Sequence, residues 1–428
     1  MKVLMFGWEF PPHIAGGLGT ACKGIVEGLA HNGVETLFVM PSASGDEDQS
    51  CTTIINASDV AVKYVSSSVD EFLDKVKFIH VDSSMVPYVN PDEYFEAIEK
   101  MKRLHISETV LGFGQKFKFS GKYGENLLEE VSRYAQVGGT IALQHAGDFD
   151  VIHAHDWLTY LAGIAAKEVS GKPLVVHVHA TSFDRGTDDM VDSRVYEIEK
   201  RGMEAADRVV TVSDLTRNIV INKYGINPSK VVTVHNAVDF SGRENLSVER
   251  GVRDKVVTFL GRITYQKGPE YFIDAAAKVL KRTRNVRFVM AGSGDMMTRA
   301  IKHVARLGIA DRFHFTGFLR GADVQKMFAL SDVYIMPSVS EPFGISPLEA
   351  MRSNVPSIIS KQSGAAEVLK YALKVDFWDV DALADDIYAM VTYPALAEFA
   401  EKRGFDEVNN LKWNEATAKL KKVYESVI

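Results

Sequence analysis

The 428-residue chain is short of several things, and each shortage removes a class of function. Only two cysteines are present, Cys22 and Cys51, and their spacing fits no metal knuckle. A disulfide framework is therefore not expected, and a reducing compartment is. No apolar run approaches the roughly 18 residues of a membrane-spanning helix. The opening Met1-Lys-Val-Leu-Met-Phe-Gly-Trp-Glu9 is interrupted by Glu9 and reads as a first strand rather than a secretory leader. Basic residues are not in excess: the net charge is −7 and the pI is near 6.0, which offers no footprint for nucleic acid. Short-period repeats, low-complexity tracts and the G-x-G-x-x-G dinucleotide fingerprint are also missing. These absences predict a soluble, cytoplasmic protein with no transmembrane segment and no nucleic-acid partner.

What is there is an alternation of short apolar runs and helical periodicities. A hydrophobic content of 46% and a charged content of 25% are those of a chain that buries real cores, and the length allows two to three domains. Val3 to Phe6 is an apolar run of the kind that forms a strand buried on both faces. After the loop Pro11-Pro-His-Ile-Ala-Gly-Gly17, residues Leu18, Ala21, Ile25 and Leu29 recur at helical spacing, and Thr36 to Met40 is the next strand. Glycines before a helix N-terminus suit a phosphate. The stretch from 46 to 125 is less regular, with β-like runs at Val60 to Val65 and Phe78 to Val81 and a basic, aromatic loop Lys116 to Tyr123. Four further strands end at polar residues: the run from Val151 through His153 and His155 at Asp156, Leu174 to Val178 at His179, Arg208 to Val212 at Ser213, and Val231 to Val234 at His235-Asn-Ala-Val-Asp239. The polar segment 240–254 reads as a linker. A second series then runs through strands at Val256 to Leu260, Val286 to Ala291, His314 to Gly317, Val333 to Met336 and Val355 to Ile359. A closing helix carries Trp413, Ala416, Leu420, Val423, Tyr424 and Val427 at helical spacing. The expected fold is α/β, with two Rossmann-like domains facing across a cleft. Residues 1–240 form the first domain, 251–410 the second, and a helix within 411–428 packs back on the first.

The most informative stretch is Glu341-Pro-Phe-Gly-Ile-Ser-Pro-Leu-Glu349. Pro342 holds Glu341 extended. Ser346, Pro347 and Glu349 have the spacing of N-cap, N1 and N3, so a capping box is expected. Both carboxylates then lie at the mouth of a parallel sheet, where open α/β folds bind ligands. Arg262 and Lys267 share another strand-end loop and suit a diphosphate. One carboxylate can hold ribose hydroxyls and another a sugar, which together read as a nucleotide-sugar site. The rival is a metal cluster made from His153, His155, Asp156, His177 and His179, and hence a metal-dependent hydrolase. That reading leaves the second domain without a task.

Taken in order, Pro11-Pro-His-Ile-Ala-Gly-Gly-Leu18, His153-Ala-His-Asp-Trp157, His235-Asn-Ala-Val-Asp239, Gly261-Arg with Gln266-Lys-Gly268, Gly292-Ser-Gly-Asp295, Ser340-Glu-Pro-Phe-Gly344 and Leu348-Glu-Ala-Met351 resemble the retaining glycosyltransferases of the two-Rossmann (GT-B) fold. The group contains family 4 and the glycogen and starch synthases of family 5. The resemblance implies that Glu341 contacts the donor sugar and Glu349 the ribose. It implies that Arg262 and Lys267 neutralise the diphosphate, with Gly16, Gly17, Phe343, Gly344, Ser363 and Gly364 around them. The backbone at Leu319 and Arg320 would read the base. Asp156 and His179 would face the transferred sugar, making Glu341, His179, Asp156, Arg262 and Lys267 the catalytic set. Ile14 stands where family 5 glycogen synthases usually carry lysine, which favours family 4. The segments Phe6-Gly-Trp-Glu-Phe-Pro-Pro12 and Tyr123-Gly-Glu-Asn126 are similar to glucan synthases.

The implied activity is retaining transfer of a hexose, with glucose the leading choice, from a UDP- or ADP-sugar to an oligo- or polysaccharide acceptor, a growing α-1,4-glucan first. No cofactor and no metal is required for it. The alternatives are a glycosyltransferase of cell-surface polysaccharide or glycolipid synthesis, a nucleotide-sugar epimerase, the metal hydrolase, and a sugar-binding scaffold.

Overall fold

The computed structural model describes residues 1–13, 17–63, 66, 68, 69, 71–73, 116–121, 127–186, 191–238 and 248–428. The expected strand at Phe78 to Val81, and residues Gly16, Lys122 and Tyr123, lie outside them. The chain divides into two compact units: Met1–Asn236 with Trp413–Ile428, and Ala237–Lys412.

The first unit holds a sheet of strands β1 (Lys2–Phe6), β2 (Glu35–Met40), β3 (Thr53–Asn56), β4 (Val151–His155), β5 (Leu174–Val178), β6 (Arg208–Thr211) and β7 (Val231–Thr233). Its order is β3-β2-β1-β4-β5-β6-β7, and every pairing is parallel. The second unit repeats the plan with β8 (Lys255–Leu260), β9 (Val286–Ala291), β10 (Phe313–Gly317), β11 (Val333–Met336), β12 (Ser357–Ser360) and β13 (Leu373–Val375). Here the order is β10-β9-β8-β11-β12-β13, again all parallel. In both sheets the chain reverses direction between its first and fourth strands, β1/β4 and β8/β11. In open α/β sheets that switch point is where strand-end loops diverge and ligands bind.

The central strands are buried on both faces. All five residues of β4 and of β5 are buried, so they read as near-continuous apolar runs with histidines set among them. Each unit has its own apolar core, one around Phe6, Trp8, Tyr134 and Trp157, the other around Phe259, Phe272, Phe288 and Phe313.

The helix Trp413–Glu425 belongs to the first unit and packs on the helix Gly17–His31. Two glycines on the latter permit the contact: a Cβ on Gly24 would meet the Trp413 ring at 2.2 Å, and one on Gly28 the Thr417 hydroxyl at 2.6 Å. Lys421 donates to the carbonyl of Asn32 at 2.8 Å, closing the far end.

Three expectations need correction. Val60 to Val65 is not a strand in its described part; the added edge strand is Thr53–Asn56, and Ala61 makes only an isolated antiparallel bridge to Lys116. The edge strand β13 has no counterpart in the expected series. The capping box at Ser346 does not form. Ile345 is already helical (φ −75°, ψ −33°), so it occupies the cap position without a side-chain cap, and Ser346 is the first helical residue.

Candidate functional site

In the second unit the switch point gathers three loops. The loop after β8 carries Gly261, Arg262 and Lys267, that after β11 carries Ser338 and Glu341, and that after β12 carries Ser363 and Gly364. Backbone bonds clip them together. The Val339 N–H donates to the Gln266 carbonyl at 2.8 Å, Glu341 N–H to the Gln362 carbonyl at 2.9 Å, and Gly364 N–H to the Glu341 carbonyl at 2.9 Å. Gly268 lets the first two loops touch: it has φ +65°, and a Cβ there would lie 2.1 Å from the Pro337 carbonyl oxygen.

The result is an ion pair between Lys267 Nζ and Glu341 Oε2, residues far apart in the chain. Ser338 Oγ donates to the same oxygen at 3.2 Å. The Glu341 side chain is 8% exposed and that of Lys267 20% exposed, so the pair is largely shielded from water, and breaking it strands a charge. Lys267 still has capacity, because an ammonium carries three donors. Arg262 reaches the Gln266 amide oxygen at 3.4 Å. Gly344, at φ +92°, turns the chain against Glu341; a Cβ there would lie 3.1 Å from Glu341 Cγ. Phe343 is buried, and its carbonyl accepts the Ala365 N–H at 2.7 Å.

Glu349 is half-buried in the first turn of Ser346–Arg352. Burial pushes its carboxyl above the usual glutamate range, and the Arg352 charge opposes the shift. Nearby, the buried Tyr334 hydroxyl donates to the Leu260 carbonyl at 3.3 Å. At the third loop the Ser363 hydroxyl donates to the Ser360 carbonyl at 2.7 Å, and the Gly364 N–H is taken by Glu341. Those groups brace the Glu341 loop. Leu319 lines a groove of about 440 Å³ over β8, β9 and β10, together with Val256, Thr258, Val289, Thr316 and Met327.

In the first unit the structure brings Asp156 and His179 together at the ends of β4 and β5. Asp156 has φ 56° and ψ 171°, a strained backbone for a residue with a side chain. Its Oδ1 accepts the N–H of His179 at 2.7 Å and of Ala180 at 3.3 Å. Burial pushes its carboxyl up to about 7, against the pull of Arg185 and of those two N–H groups. His179 is pushed down to about 3 by loss of solvent, so its ring is neutral. Gly17 opens its helix with an exposed backbone, and two residues on the Gly19 N–H donates to Glu9 at 3.0 Å. A buried carboxylate therefore already stands at that helix start.

Further groups organise this loop without having been singled out in the sequence. Asp184 accepts the N–H of Thr181 at 2.7 Å and its hydroxyl at 2.8 Å. Glu199 accepts the Ser182 hydroxyl at 2.8 Å and the Tyr224 hydroxyl, and pairs with Arg185 at 3.4 Å. Thr181-Ser-Phe-Asp184 is a capping box legible from its spacing. Glu199 leaves no such local trace, and neither does Ser338.

Two all-parallel sheets of Rossmann order, one in each unit, are those of the GT-B fold. The comparisons agree. Residues 243–405 match the family described as glycosyl transferases group 1, and residues 123–241 match glycosyltransferase family 4. An uncharacterized glycosyltransferase of Methanocaldococcus jannaschii is 31% identical over 386 residues, covering 87% of this chain and 83% of that protein. The chain belongs to this glycosyltransferase family. A D-inositol 3-phosphate glycosyltransferase of Kribbella flavida is 29% identical over 296 residues, 64% of this chain and 70% of that one. A glycogen synthase of Mycobacterium tuberculosis is 22% identical over 405 residues, 93% and 88% of the two chains. Among solved structures, a sucrose-phosphate synthase from Thermosynechococcus elongatus superposes with a TM-score of 0.71 at 17% identity, over 99% of this chain and 98% of that one. The Anabaena protein HepE, crystallised with UDP and glucose, gives 0.63 at 16% identity over the whole of both chains. Among the described residues no helix is long and apolar enough to cross a membrane.

Proposed function

We propose that the protein transfers a hexose, glucose first, from a nucleoside diphosphate sugar to a hydroxyl of a saccharide acceptor, with retention at the anomeric carbon. One observation carries this reading: Lys267 and Glu341 meet at the switch point of the second sheet. In the proposed complex Lys267 keeps Glu341 with one N–H and turns another to the diphosphate, with Arg262 beside it. Glu341 takes the donor-sugar hydroxyls and Glu349 the ribose. The loop at Leu319 and Arg320 takes the base. Asp156 and His179 are the first-unit groups assigned to the sugar being transferred.

The transition state is oxocarbenium-like, as in glycoside hydrolysis. Growing leaving-group charge is met by fixed cations rather than by an acid. A neutral His179 fits a hydrogen-bonding role better than a charged one. The transfer calls for no metal. Uridine is the base favoured first, since HepE holds UDP and glucose. A glucan is the acceptor favoured first, because the glycogen synthase aligns over nearly the whole chain.

The test is a panel of UDP-, ADP- and GDP-sugars, offered with maltooligosaccharides, with D-inositol 3-phosphate and with no acceptor. Nucleotide release and product linkage are read together. Acceptor-dependent release with an α-linked product supports the proposal. Release that ignores every acceptor, or conversion of the donor sugar alone as an epimerase would give, contradicts it.

A further inference from the structure

The middle of the first sheet carries four imidazoles on one face. His153 and His155 lie two residues apart on β4, His177 lies on β5, and His179 follows just beyond its end, with His155 and His177 paired in register. Their rings form a compact group. Centroids are 4.3 Å apart for His153 and His155, and 5.4 Å from His177 to each of them. His153 and His155 have no exposed surface, and His177 is 1% exposed.

Buried polar atoms normally find a partner, and each exception asks for a reason. Two of these nitrogens have one: Nδ1 of His153 is 2.6 Å from the Tyr424 hydroxyl, and Nδ1 of His155 is 2.9 Å from Nε2 of His179. The remaining nitrogens of the His153, His155 and His177 rings, Nε2 of His153, Nε2 of His155 and both of His177, have no hydrogen-bond partner among the described residues. One ligand nitrogen from each of the three rings lies within 4.8 Å of the other two.

We propose that His153, His155 and His177 form a structural site for one first-row divalent cation of the zinc type. Imidazole is a preferred ligand of such ions, and three imidazoles leave one position for water. The arrangement of hydrogen bonds fits. When His153 donates from Nδ1 to the Tyr424 oxygen and His155 from Nδ1 to His179, their Nε2 atoms present lone pairs to the common centre. Such second-shell bonds fix the tautomer and ring orientation of metal-ligating histidines. Metal binding takes the neutral imidazole, with the proton displaced from the ligating nitrogen. Nitrogens of a tetrahedral zinc site lie about 3.3 Å apart, given Zn–N bonds of 2.0–2.1 Å. The ligand atoms lie within 4.8 Å of one another, and binding would draw them in to that spacing. The ion would join β4 to β5 and, through Tyr424, to the helix Trp413–Glu425. It serves the fold and takes no part in glycosyl transfer, so the inference is independent of the proposed activity.

The experiment uses tag-free, full-length protein, stripped with a chelator, reloaded with zinc or cobalt(II), dialysed free of excess, and analysed by elemental mass spectrometry. Wild type is compared with His177→Ala and with the surface control His145→Ala, whose half-buried side chain pairs with Asp148 away from the cluster. The expected result is about one equivalent of metal in wild type and the control, under roughly a tenth in His177→Ala, and a tetrahedral cobalt spectrum only where metal is held. Zinc should raise the wild-type Tm and leave that of His177→Ala unchanged. Equal metal in wild type and His177→Ala would mean surface ions and would overturn the proposal. A wild type that retains neither zinc nor cobalt would overturn it as well. Should His177→Ala not fold, the wild-type cobalt spectrum and His177→Asn decide between the same outcomes.

Discussion

The two sheets share one topology but secure their strand-end loops by opposite means. In the second unit a cation and a carboxylate hold each other across loops, and both retain capacity for a ligand. In the first unit the carboxylates are spent on backbone. The N–H groups of His179, Ala180, Thr181 and Ser182 donate in turn to Asp156, Asp156, Asp184 and Glu199. One loop set keeps charged side chains in reserve; the other is an amide-bound frame around buried imidazoles. A repeated fold therefore does not repeat its chemistry, because function lies in the loops grafted on it.

The largest expected effect breaks the charged side of this contrast. Lys267→Ala and Glu341→Ala should each lower transfer roughly a hundred- to a thousand-fold, as loss of a transition-state contact does, with circular dichroism unchanged. Near wild-type turnover in either variant would remove the site assignment. Next comes the frame. Asp184→Ala leaves the Thr181 N–H and hydroxyl without their acceptor in a buried loop. That costs about 1–3 kcal/mol, read as a lower denaturation midpoint with an unchanged slope. A midpoint equal to wild type would show that the amide clamp contributes nothing.

A smaller effect separates the functional from the structural reading of Glu349. Its folded pKa is raised by burial, so the folded state holds the proton more tightly than the unfolded chain does. The associated stability is fully present below the ordinary glutamate value of 4.5 and is lost as pH rises through the raised one. Glu349→Gln should therefore flatten stability against pH above that point, and be no less stable than wild type at neutral pH, while weakening donor binding. A destabilised Glu349→Gln with normal donor binding would make the residue a structural one. The smallest effect is expected far from either loop set. Lys278 pairs with Asp381 at the surface, where the Asp381 side chain is 80% exposed. Lys278→Ala should change stability by no more than about 0.5 kcal/mol.

Much of the fold was legible because parallel strands covered on both faces are written as unbroken apolar runs. The runs at Val3, Val151, Leu174, Val286 and Val333 all became central strands. Edge strands lack that signature. Thr53–Asn56 has no fully buried residue, so nothing in its pattern marks it. Val60 and Val62 misled for the opposite reason: Val62 is buried, yet by an irregular segment. At the site, each motif residue could be picked out, but the Lys267–Glu341 pair could not. It depends on β8 and β11 being neighbours, a fact of strand order. The capping box at Ser346 failed because the Phe343–Gly344 turn, tied to Ala365, delivers Ile345 already in helical geometry. The histidine cluster was legible as a rival metal site and set aside because it left the second domain without a task; the unpartnered nitrogens of three of its rings appear only once β4 and β5 are paired.

The central claim, that the charged loops of the second unit are the donor site, is tested most directly by calorimetric titration of UDP, with ADP and GDP alongside, into wild type, Lys267→Ala and Asp184→Ala. The account predicts binding to wild type, at least about tenfold weaker binding to Lys267→Ala for a lost charge-assisted contact, and unchanged affinity in folded Asp184→Ala. Equal affinity in wild type and Lys267→Ala, or a loss confined to Asp184→Ala, would contradict it.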